Sequence, residues 1–237
     1  MSDAPDPPDH SPDDKPHYMG HRQRLRDRFM KGGADAMPDY ELMEMVLFAA
    51  KPRGDVKPLA KDLITRFGSF AEAISADPAD LKEVPGVGEG TVATLKVVRE
   101  AALRLAQQQV LNRPVLSSWQ ALMDYCQAAQ AYEKTERFRV LFLNRKNVLI
   151  ADEVQQKGTV DHTPVYPREI VKRALELGAT ALIMVHNHPS GDPTPSRADV
   201  DMTQEVQEAG ERLGITLHDH IIVSRGGTLS FKAMGYL

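Results

Sequence analysis

A single cysteine, Cys126, stands among 237 residues. One thiol cannot build an intrachain disulfide framework or a thiolate zinc cluster, so both are excluded within one chain, and a reducing compartment fits best. No stretch approaches the roughly 18 consecutive apolar residues of a transmembrane helix. The opening MSDAPDPPDHSPDDKPHY lacks the apolar core of a signal peptide. These absences lead us to expect a cytoplasmic protein without membrane contact. An excess of positive charge is missing too: the formal net charge is −4. Any nucleic-acid contact must therefore come from a local basic patch. Several chemistries are also unrepresented. There is no H-E-x-x-H, no P-loop, and no P-C-x-x-C of the zinc deaminases. Gly86-Val87-Gly88-Glu89-Gly90-Thr91 lacks the third glycine of the G-x-G-x-x-G dinucleotide fingerprint.

What is present is ordinary globular material, 42% hydrophobic and 26% charged, enough for real cores in one or two domains. Residues 1–17 are dominated by proline and aspartate and are expected to be a disordered tail. Residues 18–108 read as a small all-helical domain. Thr91–Ala106 has the helical spacing of Val92, Leu95, Val98, Ala102 and Leu105. Residues 109–118 read as a linker. From 119 to 237 the pattern alternates. Helices are expected at Trp119–Ala131, Pro167–Leu177 and Arg197–Leu213. Strands are expected at Phe138–Asn144, Val148–Val154, Ala181–Val185, Ile215–Ser224 and Thr228–Phe231. Such alternation argues for one α/β domain. No internal repeat is visible.

The chemistry concentrates in His186-Asn-His188-Pro-Ser-Gly-Asp-Pro-Thr-Pro-Ser196-Arg-Ala-Asp199. Histidines at i and i+2 of an extended chain share a face and can converge on one ion. The turn-rich loop returns the chain to a helix whose first turn holds Asp199. Three protein ligands would leave one position for water, the arrangement of a catalytic zinc, one per chain. Such an ion needs a base that is not a ligand. Glu153 is the best candidate, on a strand that can pair beside 181–185. The Ser196 hydroxyl could donate to a developing oxyanion. Plainer readings stand beside these. H-x-H can be two polar residues at a strand end, S-x-x-D is also an ordinary helix cap, and Glu153 can be a surface glutamate. His218-Asp219-His220 is a second H-x-H without a third ligand; it reads as structural, with one histidine available to support the zinc ligands.

Taken in order, Glu153, His186, His188, Ser196 and Asp199 resemble the JAMM (MPN+) metalloprotease motif. The words HNHPSGDPTPS and PREIVKRALELGA resemble the bacterial RadC-like (UPF0758) family, historically labelled as DNA repair proteins, over roughly residues 20–237. The resemblance implies a cytidine-deaminase-like α/β JAMM/MPN domain with a central mixed sheet and flanking helices. It also implies zinc and peptidase or isopeptidase chemistry on a peptide or protein substrate.

Leu81-Lys-Glu-Val84-Pro85-Gly86-Val87-Gly88 resembles the helix-hairpin-helix motif of DNA-binding proteins. Gly86, Gly88 and Gly90 could let the backbone approach a duplex phosphate, next to the N-terminal amides of the following helix. Glu89 would oppose an anion there, and such hairpins also serve as connectors. The arginines at 22, 24, 26 and 28 either add phosphate contacts or form a solvated helix face. Two functions follow: a zinc-dependent JAMM-type hydrolase, or a DNA-binding accessory protein whose metal site is vestigial or structural.

Overall fold

The structure, a computed structural model, describes residues 20–111, 113–157 and 166–237; the side chains of 116, 156 and 157 are not described. The expected tail, residues 1–17, lies outside the described residues. Contacts divide the chain into two compact units. One comprises the described part of Met1–Ala73 with Pro78–Leu95, the other Ile74–Asp77 with Lys96–Leu237.

The first unit is helical: α1 (His21–Gly32), α2 (Asp39–Ala50), α3 (Lys57–Phe67), most of α4 (Phe70–Ser75), α5 (Pro78–Lys82) and the start of α6 (Glu89–Val110). Apolar residues four apart, Met43 with Leu47 and Leu59 with Leu63, give α2 and α3 their buried stripes. Much of the arginine cluster is engaged within this unit. Arg22 donates to the carbonyls of Lys51 (2.7 Å) and Gly54 (2.9 Å) and lies over the Phe48 ring. Arg26 lies over the same ring, and Arg28 pairs with Glu41.

Composition places the break after residue 108, whereas contacts place it inside α6, between Leu95 and Lys96. The reason is packing: Leu103, Ala106 and Val110 of α6 join a core built on the second unit's sheet. That unit continues with α7 (Trp119–Gln130), β1 (Arg137–Leu143), β2 (Leu149–Lys157), α8 (Pro167–Leu177), β3 (Ala181–Asn187), α9 (Arg197–Glu211), β4 (Thr216–Ser224), β5 (Gly227–Ser230) and α10 (Phe231–Met234). Phe231, expected to end a strand, instead opens α10, because the Ser230 hydroxyl accepts the Ala233 N–H and caps a helix there.

The strand order is β2-β1-β3-β4-β5, with β3 and β4 parallel and the other neighbours antiparallel, so the sheet is mixed. Alternation sorts its side chains into two cores. Leu141, Leu143, Ile183, Val185, Ile221 and Val223 pack with α6 and α7. Phe138, Val140, Phe142, Leu182 and Met184 face α8 and α9. The result is helices on both faces of a sheet. Cys126 is fully buried in the first core, which pushes its thiol up to about 12 and keeps it protonated.

The strand order corrects one expectation. β1 lies between β2 and β3, so Glu153 does not neighbour 181–185. It pairs with Val140, which pairs in turn with Met184. Two strand spacings separate Glu153 from β3, about 10 Å.

Candidate metal centre

His186 sits at the end of β3 on the α8/α9 face, following Leu182 and Met184 by alternation. His188 lies one step past the strand, where its N–H donates to the Val223 carbonyl (3.0 Å). The loop after it is organised by Asp192. Its Oδ1 accepts from the N–H and hydroxyl of Thr194 (2.9 and 2.7 Å), while its backbone carbonyl lies 2.9 Å from His188 Nδ1. The β4–β5 turn supports the same loop: Ser224 Oγ and the Gly226 N–H both donate to the Gly191 carbonyl (2.9 and 3.2 Å). A Cβ at Gly226 would stand 2.5 Å from that oxygen, so only glycine fits.

The loop delivers the chain to α9 through a capping box. Asp199 N–H donates to Ser196 Oγ (3.2 Å), and the Ser196 N–H donates to Asp199 Oδ2 (2.7 Å). The Ser196 hydroxyl also donates to Oδ2 (2.7 Å), so its one hydrogen is committed to orienting Asp199. Asp199 Oδ1 then lies 3.4 Å from His186 Nε2, and Oδ2 lies 3.6 Å from His188 Nε2. The two Nε2 atoms are 2.9 Å apart.

A fourth group completes the cluster. Glu136 immediately precedes β1, and its Oε1 is 3.8 Å from His186 Nε2. Glu136, His186, His188 and Asp199 each offer one atom, all within 4.8 Å of one another. The position follows from register. Phe138 pairs with His186, and Glu136 is two residues earlier on the same face. Asn187, between the histidines, points to the opposite face and is fully buried. Its Oδ1 accepts the Arg137 N–H (2.8 Å), and its Nδ2 donates to the carbonyls of Thr135 (3.1 Å) and Glu133 (3.3 Å). These three backbone groups bracket Glu136 and hold it at the cluster.

The structure thus gathers His186, His188 and Asp199, with Ser196 orienting the last, and leaves Glu153 outside. Glu153 forms a bidentate pair with Arg173 of α8, at 2.7 and 3.0 Å, and that guanidinium holds its carboxyl below the ordinary value. Glu136 takes the place at the cluster that the sequence reading gave to Glu153. The signal for it was strand parity: Glu136, Phe138, Val140 and Phe142 alternate toward one face, but a strand begun at Phe138 leaves Glu136 out.

Electrostatics favour a cation. Burial lowers His186 to about 4, so its ring is neutral at physiological pH. His188 is raised, chiefly by its hydrogen bond to Asp199. Burial works to raise the Asp199 carboxyl, but His188, His186 and Ser196 together hold it low. His188 Nδ1 faces a carbonyl and must donate to it, so a neutral His188 turns the Nε2 lone pair toward the carboxylates. The donor set of two imidazoles and carboxylates suits zinc. Its ligand atoms would stand about 3.3 Å apart at tetrahedral 2.0–2.1 Å bonds. The two Nε2 atoms stand 2.9 Å apart, and Asp199 brings one oxygen to 3.4 Å from His186 and the other to 3.6 Å from His188, all close to that value.

In the first unit, Gly86 turns the chain after α5 with φ +88°, and the Val87 N–H donates to the Val84 carbonyl (3.0 Å). A Cβ at Gly88 or Gly90 would meet no atom within 4 Å, so both backbones are open to approach. Glu89 opens α6 and pairs with Lys82 at 2.6 Å. No helix among the described residues is long and apolar enough to cross a membrane.

Comparison with known proteins agrees with the fold. The RadC-like JAB domain matches residues 116–236. A UPF0758 protein of Rhodobacter capsulatus is 64% identical over 213 residues, covering 90% of this chain and all of the relative. A UPF0758 protein of Ruegeria pomeroyi is 58% identical over 223 residues, covering 94% of this chain and all of the relative. With a RadC-like JAB domain over its mixed sheet and full-length relatives at this identity, the chain belongs to the RadC-like (UPF0758) family.

Proposed function

We propose that the second unit is a zinc-dependent hydrolase of the JAMM type, a peptidase or isopeptidase, with His186, His188 and Asp199 holding one zinc and Glu136 acting as general base. The observation that carries this is the convergence of Glu136 on the two Nε2 atoms and the Asp199 carboxylate. Zinc held there would supply Lewis acidity, making water acidic near neutral pH and polarising a carbonyl. Glu136 accepts the proton of the attacking water and returns it to the amine nitrogen as the C–N bond breaks. Asn187 keeps that carboxylate in reach. Ser196 orients Asp199; an oxyanion role would require its hydrogen to turn from Asp199 to the substrate.

Metal analysis of the purified protein should give about one zinc per chain. The double variant His186→Ala, His188→Ala should lose it, and full retention overturns the site. Activity is sought on a panel of isopeptide-linked and linear peptides.

A second reading concerns residues 18–108 as a helix-hairpin-helix-like module that binds duplex DNA. The open backbones at Gly88 and Gly90 favour it, with Gly86 forming the turn. Lys82 offsets the charge of Glu89. Full-length protein should then retain duplex DNA with little sequence preference and steep salt dependence. DNA retention with neither zinc nor peptidase activity would make the chain a DNA-binding accessory protein with a vestigial site. No binding at low salt leaves the turn a connector.

A further inference from the structure

The second H-x-H of the sequence has a use that the proposed hydrolase does not name. His220, on β4, is fully buried between Phe231 and Phe138, with ring centroids 4.5 and 5.8 Å away. Its Nε2 is 2.7 Å from His186 Nδ1, and its Nδ1 is 2.6 Å from Thr203 Oγ1. Thr203, buried on α9, also hydrogen-bonds the backbone carbonyl of Asp199.

The hydrogens in this chain have one consistent placement for neutral rings. A carbonyl only accepts, so the single Thr203 hydrogen goes to the Asp199 carbonyl. Thr203 Oγ1 must then accept from His220, which fixes the proton of His220 on Nδ1. A neutral His220 has one N–H, so its Nε2 carries a lone pair and accepts from His186. The proton of His186 is thereby fixed on Nδ1, and its Nε2 lone pair points at His188, Asp199 and Glu136. We propose that Thr203 and His220 are positioning residues that set the tautomer of His186 and present its Nε2 to the metal. The relay also closes a circuit: it starts at the backbone of Asp199 and ends at His186, so two groups on α9 and β3 are registered to each other before any ion binds. His218, the other half of the second H-x-H, takes no part; its Nε2 is 2.7 Å from Asn147 Oδ1 at the β1–β2 turn.

The inference rests on the zinc reading for its purpose but not for its test. In metal-free parent protein near pH 7, long-range nitrogen–proton NMR should show both His186 and His220 with the proton on Nδ1. Either ring found with its proton on Nε2 overturns the relay. Zinc affinity, measured by chelator competition, should fall about 10- to 100-fold in Thr203→Val and His220→Leu, the usual cost of losing a partner behind a metal ligand. Thr203→Ser keeps the hydroxyl and should bind near the parent value. His220→Gln, whose amide oxygen can accept from His186, should recover much of the loss. Where His220→Leu fails to fold, the Thr203 pair and the NMR decide. Parent-like affinity in both Thr203→Val and His220→Leu overturns the relay while leaving the zinc reading intact. The tautomers as stated in a parent that binds no zinc would sink the metal reading and leave the relay standing.

Discussion

Glu136 and Glu153 are both glutamates of the β1–β2 region, and both face the α8/α9 side of the sheet, yet their surroundings differ in kind. Glu136 has its carboxylate beside neutral His186, on a backbone clamped from below by Asn187. Glu153 lies one strand further out and is neutralised by Arg173, in a pair that is partly exposed to solvent. Residue type does not separate them. Position in the sheet does, because a general base must lie within hydrogen-bond reach of the proton it takes. A carboxylate held by a guanidinium about two strands from the ligands is a fastener between β2 and α8. A second fastener acts on the other face, where Asp152 pairs with Arg139 and Tyr125.

The sharpest separation is expected from Glu136→Gln. It should keep zinc close to one per chain and lower hydrolysis of any peptide the parent cleaves by about 10²–10⁴-fold, the range for loss of a general base. Stoichiometric loss of zinc would instead make Glu136 a ligand. Asn187→Ala comes next. It strips partners from the Arg137 N–H and two carbonyls, and each buried group left unmade costs about 1–3 kcal/mol. Melting temperature should drop and hydrolysis should fall with it, while zinc remains because both histidines are intact. Hydrolysis at the parent rate in a folded Asn187→Ala would show that the clamp does not matter to Glu136. Ser196→Ala should be milder, costing about 0.5–2 kcal/mol through the lost cap. Zinc affinity should weaken modestly because Asp199 loses an orienting hydrogen bond. Denaturant midpoints and zinc titration on one sample report both effects.

This order explains what could be read from the sequence. His186, His188, Ser196 and Asp199 were legible because their geometry is local: an i,i+2 pair on a strand, a stiff loop, and the first turn of a helix. The helices and most strand positions followed from period and caps, and the α/β class from their alternation; the parallel pairing of β3 with β4 is visible only in the fold. The fourth member of the cluster was not legible in this way. Choosing between Glu136 and Glu153 requires knowing that the β1–β2 hairpin docks against β3 through β1. The unbroken apolar run Val140–Leu143, set against Asp152, Glu153 and Gln155 of β2, hints at the inner strand, but a strand begun at Phe138 leaves Glu136 outside it. His220 was similarly ambiguous. Its neighbour Asp219 is equally buried but serves the chain, accepting from the N–H groups of His220 (2.8 Å) and Lys232 (3.0 Å) and from Ser230. Only the face each residue takes separates a support for the metal ligand from an anchor for α10.

Glu153→Gln should have the smallest effect and tests the comparison from its other side. The substitution keeps shape and removes charge, so it deletes an ion pair and nothing at the cluster. Zinc content and hydrolysis should match the parent. Stability should change slightly, with a definite pH signature. Arg173 holds the Glu153 carboxyl below its ordinary value, so the folded state binds its proton less readily than the unfolded chain does. The pair's contribution is therefore fully present above the unfolded value of about 4.3 and is lost as pH falls through the lower folded value. Parent and variant melting temperatures should thus differ slightly at neutral pH and converge in acid. The neutral-pH gap should also shrink with added salt, because both partners reach solvent. A loss of hydrolysis in Glu153→Gln as large as in Glu136→Gln would break the distinction, since no fastener two strands from the ligands could act as their base.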